Sequence, residues 1–120
     1  MRSPSVMKKI SFVVLVVLMF MMACTGKDKV VKPATFLTEQ QMVDVLTDTY
    51  LIEAELNQRK SMGEEVSKLE EAYYRQLFEH YGITDSIFDE NMAYYTTQLG
   101  TLERIMDSVN QRFVSAQARQ

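Results

Sequence analysis

Cys24 is the one cysteine in the chain, and a thiol is the only side chain here that could become a thioether-linked diacylglycerol. It follows Met21-Met22-Ala23 at the end of residues 12–23, a stretch without a polar residue, and Arg2, Lys8 and Lys9 precede that stretch. A basic start, an apolar middle and a small residue before the cysteine have the layout of an export signal. Ala23 fills the last position of a lipobox, with Met21 and Met22 fitting its first two loosely. The expectation is a lipoprotein precursor with a signal peptide over 1–23, cut before Cys24, carrying diacylglycerol on the sulfur and an N-acyl chain such as palmitate on the new terminus. Two or more acyl chains hold a protein on a bilayer that a single chain would leave. An uncleaved anchor fits less well, because about 12–14 apolar residues rise only about 20 Å as a helix, short of the ~30 Å hydrocarbon core. Thr25 stands where an aspartate would signal inner-membrane retention, which points to the outer membrane. Lys27, Asp28, Lys29 and Lys32 stand in place of a surface-directing acidic cluster, which favours the periplasmic face.

Past Cys24 there is no catalytic, metal or nucleotide motif. His80 is the one histidine; a zinc-type site wants three or four ligands, and no second histidine or free cysteine joins it, so a helix-end position is the plainer account. Asp44 and Asp48 stand one helical turn apart and are the weak candidates for sharing a cation, although two carboxylates at that spacing usually line a solvated face. Glu64-Glu65 and Glu70-Glu71 read as solvating charge. No serine sits in a nucleophile-elbow context, and the four glycines build no phosphate loop. The tyrosines are the better functional clue. Tyr73-Tyr74 and Tyr94-Tyr95 fall on two consecutive helices, and neighbours in a pair lie about 100° apart round the axis, so one ring can face the core and the other the surface. Exposed tyrosines suit partner binding; the alternative is that all four finish the edge of the core.

These residues need elements to position them. Removing 23 of 120 residues leaves 97, enough for one small domain and a tether. The tether runs over 24–35 and is basic. The domain over 36–116, with a frayed tail over 117–120, is acidic: residues 36–120 hold 7 basic and 15 acidic side chains, a net charge of −8. An acidic domain argues against nucleic acid, and with its cysteine lipidated it has no disulfide. Leu37-Thr38-Glu39-Gln40-Gln41-Met42 combines a threonine cap, a glutamine three residues on and flanking apolar residues, which starts a helix. Apolar residues at spacings of three and four carry that helix over 39–57. A second helix is expected over 66–81, with competing capping boxes at Ser67/Glu70 and Ser61/Glu64, and Gly82 as its left-handed stop. Thr84 caps a third helix running to 98. Leu99-Gly100-Thr101 breaks it, and Thr101 caps a fourth running to 116. Short connections between such helices predict an all-α bundle of about four mostly antiparallel helices.

The order of these features resembles a Bacteroidetes lipoprotein family of unknown function, whose short helical domain follows the lipidated cysteine. Lys32-Pro33, Met42-Val43-Asp44-Val45-Leu46-Thr47-Asp48, Glu53-Ala54-Glu55, Tyr81-Gly82-Ile83-Thr84, Phe88 and Tyr94-Tyr95 carry the resemblance. Asn91 and Ala93 stand where a Ser-Leu-like pair is expected. The resemblance implies a location and a fold and no catalytic residue. Three function classes follow: a non-catalytic envelope lipoprotein whose acidic bundle binds a protein partner, a periplasmic ligand- or metal-binding protein or enzyme using helix carboxylates, and a structural spacer.

Overall fold

The computed structural model describes residues 4–21 and 30–120. Cys24 and half of the expected tether, residues 24–29, lie outside the described residues. Those described form five helices and no strand: α1 (Pro4–Met21), α2 (Glu39–Ser61), α3 (Ser67–Tyr81), α4 (Asp85–Thr96) and α5 (Leu99–Gln117). Helix α1 lies within the expected signal segment, of which residues 1–3 and 22–23 are outside the described residues. Apolar side chains along it are exposed, Phe12 at 67%, and none of those described belongs to the hydrophobic core. No described helix is long and apolar enough to cross a membrane.

The bundle itself is α2 to α5. Helix α2 starts as expected: Thr38 Oγ1 accepts the Gln41 N–H at 3.2 Å, and Gln41 Oε1 accepts the Thr38 N–H at 2.9 Å. It runs one turn past the predicted end, because Arg59 bridges Glu55 behind it and Glu64 beyond it, both at 3.0 Å. Neither expected capping box forms at α3. Ser61 donates back to the Gln58 carbonyl, and the Ser67 hydroxyl and N–H both donate to the Glu65 carboxylate. The acid two residues upstream reaches the free amide of the first turn more directly than Glu70 reaches back. Gly82 ends α3 at φ 63°, with the Ile83 N–H closing on the Phe78 carbonyl at 3.0 Å. Thr84 then caps α4.

The break between α4 and α5 falls earlier than expected, at Thr97 and Gln98. Thr96 and Thr97 hydroxyls bond back to the Ala93 and Tyr94 carbonyls, and α5 begins at Leu99. Gly100 lies inside the first turn, where backbone N–H groups have no intrahelical partner anyway. Thr101 is therefore not a cap; its hydroxyl accepts from Arg104 at 3.1 Å.

Helices α2 and α3 run antiparallel, as do α4 and α5, but α2 and α5 run in the same direction. Glu39 pairs with Arg104, Asp44 with Arg112, and Tyr50 meets Phe113 edge-on at 6.2 Å, so numbers rise together on both helices. Helices α3 and α4 together make the one descent between them. Helix α3 lies beside the second half of α2, and α4 continues to the level of its start, with Phe78 and Phe88 in ring contact at 5.9 Å across the corner. The four-helix bundle is thus three-sided at each level, with one limb broken at Gly82.

The lower level holds the main core: Met42, Val43, Leu46, Tyr95, Ile105 and Val109, with Leu37 of the lead-in. That lead-in is extended, so its polar backbone groups need partners outside any helix ladder. Asn91, fully buried, supplies them. Its Oδ1 accepts the Leu37 N–H at 2.8 Å, and its Nδ2 donates to the Thr35 and Ile87 carbonyls, each at 2.8 Å. Tyr95 adds its hydroxyl to the Leu37 carbonyl at 2.7 Å. Phe36 packs against both Tyr94 and Tyr95, and Lys32 lies over the Phe36 ring. Asn91→Ala should lower the unfolding free energy by about 2–3 kcal/mol, since the buried Leu37 N–H loses its acceptor, whereas Tyr95→Phe should cost about 1 kcal/mol. Urea denaturation of both variants checks this, and equal losses would contradict it.

Candidate functional site

Two features of the upper level concentrate polar chemistry: a seam of phenols and carboxylates between α2 and α3, and an open groove beside it. Along the seam, Tyr81 donates to Asp48 Oδ2 at 2.6 Å, Tyr74 to Glu53 Oε1, and Tyr73 to Glu55 Oε1 at 2.9 Å. Tyr74 and Tyr81 are seven residues apart, two turns on one face of α3, and their partners Glu53 and Asp48 lie five residues apart on α2. Antiparallel packing sets each phenol against its carboxylate. Burial, followed by the hydrogen bond to a carboxylate, pushes the Tyr74 and Tyr81 phenols well above the ordinary tyrosine range. The Tyr73 hydroxyl, then Arg59, hold Glu55 below its usual value.

The groove occupies about 840 Å³ between α3 and the end of α5 and is floored by α2. Leu51, Ile52 and Leu77 give it an apolar bed, and Met62, 62% exposed, lies at one end. Its walls carry the carboxyl groups of Asp48, Glu55 and Glu64 and the single guanidinium of Arg59. Tyr73, Gln76 and His80 come from α3, and Gln117 and Gln120 from the end of the chain.

The four tyrosines singled out from the sequence do not share a surface. Tyr73 and Tyr74 belong to the seam, while Tyr94 and Tyr95 grip the lead-in at the other end. Tyr95 is only 2% exposed, so it is a core residue and the expectation that it binds a partner is corrected. Asp44 and Asp48 are likewise drawn apart. Asp44 pairs with Arg112 on α5 and accepts from Gln40, whereas Asp48 turns to Tyr81 on α3. No group of three or more His, Cys, Asp or Glu among the described residues is placed to hold a metal ion. Every buried side-chain nitrogen or oxygen among them has a hydrogen-bond partner. His80 sits in the last turn of α3 with its ring edge-on to Tyr81 at 4.9 Å.

Sequence reasoning passed over two residues. Asn91 was readable as a polar residue on the inward stripe of α4, between Ile87 and Tyr95. Arg59 carried a weaker signal, the Glu55 one turn before it.

The architecture defines a small all-helical domain with a seam of phenol–carboxylate bonds between α2 and α3. Residues 33–119 match the family model described as Domain of unknown function (DUF4296), and the chain belongs to that family. No curated protein and no solved structure matches it.

The seam makes stability depend on pH at both ends. Phenols whose folded values are raised contribute stability that is complete below the unfolded value near 10 and is lost as pH rises above it. Glu55, whose folded value is lowered, contributes above its unfolded value near 4.5 and loses that contribution as pH falls through the lower folded value. Thermal melts should therefore decline above about pH 10, and the Tyr74→Phe/Tyr81→Phe double variant should decline less steeply there. An identical alkaline slope in parent and variant would show that the seam does not set it.

Proposed function

We propose that the protein is an exported lipoprotein, held by acyl chains on Cys24 at the periplasmic face of the outer membrane, whose helical domain docks a protein partner and catalyses no reaction. The observation that carries this reading is the division of the chain. Apolar residues of α1 stay outside the core, whereas the folded domain is gripped from Thr35 onward by Asn91. A discarded leader and an anchored domain would divide in this way, with a tether between. About ten residues separate Cys24 from the grip, which allows the domain to stand up to about 35 Å from the bilayer.

The partner-docking half draws on the polar inventory. The carboxylates that an enzyme or metal protein would need to converge are individually bonded to α3 and α5. The groove, by contrast, leaves apolar and charged groups facing solvent together. The likeness to a Bacteroidetes lipoprotein family agrees with this assignment.

Mass spectrometry of natively expressed protein from envelope membranes should find a mature chain beginning at Cys24 with diacylglycerol and an N-acyl chain. Cys24→Ser should retain residues 1–23. A parent protein with the leader in place, or with a bare thiol, would overturn the anchoring assignment.

A further inference from the structure

We propose that the groove over α2 receives a basic amphipathic helix of a protein partner, with apolar side chains on Leu51, Ile52 and Leu77 and lysines or arginines against Glu55 and Glu64. The proposal rests on the partner-docking reading and names the docking surface and the chemistry of its occupant.

Three observations select that occupant. The groove is open along its length rather than enclosed, whereas small-molecule sites bury most of their ligand; a chain segment suits it better. Among the described residues there is no strand, so no sheet edge is on offer to an extended peptide. Between two helices over an apolar bed, a helix laying down its own apolar stripe is the recognition mode that fits. The sign of charge is set by the walls, where three carboxylates face one guanidinium. Arg59 is already shared between Glu55 and Glu64 at 3.0 Å to each. The Tyr73 hydroxyl, then Arg59, hold the Glu55 carboxyl below its usual value, which favours its charged form. The whole domain carries a charge of −8 over residues 36–120, which would steer a cationic segment towards it and repel an anionic one.

The test uses the full chain and two model peptides of about 18 residues, five helical turns. Both carry leucines at the same spacing of three and four; one has lysine and the other glutamate at the remaining positions. The lysine peptide should bind with an affinity that falls as salt is raised, and amide resonances of Leu51, Tyr73, Gln76 and Gln117 should move. The glutamate peptide should not bind. Glu55→Gln/Glu64→Gln should weaken the lysine peptide by about tenfold. Equal binding of the two peptides, or resonance changes spread over the other faces of the bundle, would overturn the proposal. Photo-crosslinkers placed in cells at Met62 and, on the far side, at Glu90 separate this claim from the one it rests on. A partner captured only from Glu90 overturns the groove and leaves partner docking intact; capture from neither overturns both.

Discussion

An extended segment entering a helical bundle brings backbone groups that no helix ladder can satisfy, and the buried carboxamide of Asn91 meets that constraint. It uses both ends: the oxygen takes the Leu37 N–H, and the nitrogen spends its two hydrogens on the Thr35 and Ile87 carbonyls. An aspartate would lack the donors, and a leucine would take from the Leu37 N–H and the Thr35 carbonyl the partner that Asn91 gives them. The grip has a mechanical consequence. The chain arriving from Cys24 is fastened first to α4, through Asn91, Tyr95 and the Phe36 contacts, and only afterwards becomes α2. Tension on the chain ahead of Thr35 would be delivered to the core and not to the fraying first turn of a helix.

The same grip explains the topology. Helix α4 must reach the level of Leu37, while α3 must match its tyrosines to the second half of α2. One straight helix would have to satisfy both demands on a single face, whereas the left-handed residue at Gly82 lets the two halves be aimed separately. With the descent made in two pieces, α5 is left to climb alongside α2 in the same direction. Its ion pairs to α2 are exposed and individually weak; the buried contacts of Ile105 and Val109 hold it in place. Helices α3 and α5 both pack on α2, and the open groove is what remains between α3 and the end of α5.

Local signals were legible where the physics is local. The Thr38 capping box, the Thr84 cap and the Gly82 stop involve atoms within a few residues of one another, and each formed as read. The capping serines at Ser61 and Ser67 were misassigned for a related reason. Several acids compete within a few residues there, and only the path of the turn decides that Glu65 is nearest. The stop at Leu99-Gly100-Thr101 failed because glycine is a weak breaker in a first turn. Tyr95 shows the limit most clearly. Its pairing with Tyr94 suggested one ring in and one ring out, but nothing local foretold that its hydroxyl would find the Leu37 carbonyl 58 residues away.

By itself the sequence determined the helical class, the number of helices in the bundle, most of their boundaries and the acidic character of the domain, since periodicity, capping and charge are properties of short windows. The tertiary structure alone decided the parallel pairing of α2 and α5, the separation of Asp44 from Asp48, the division of the tyrosines between a seam and a grip, and the existence of the groove. Each of these depends on which faces meet across 18 or more residues, and a helical pattern states only that a face is apolar, not what it will lie against.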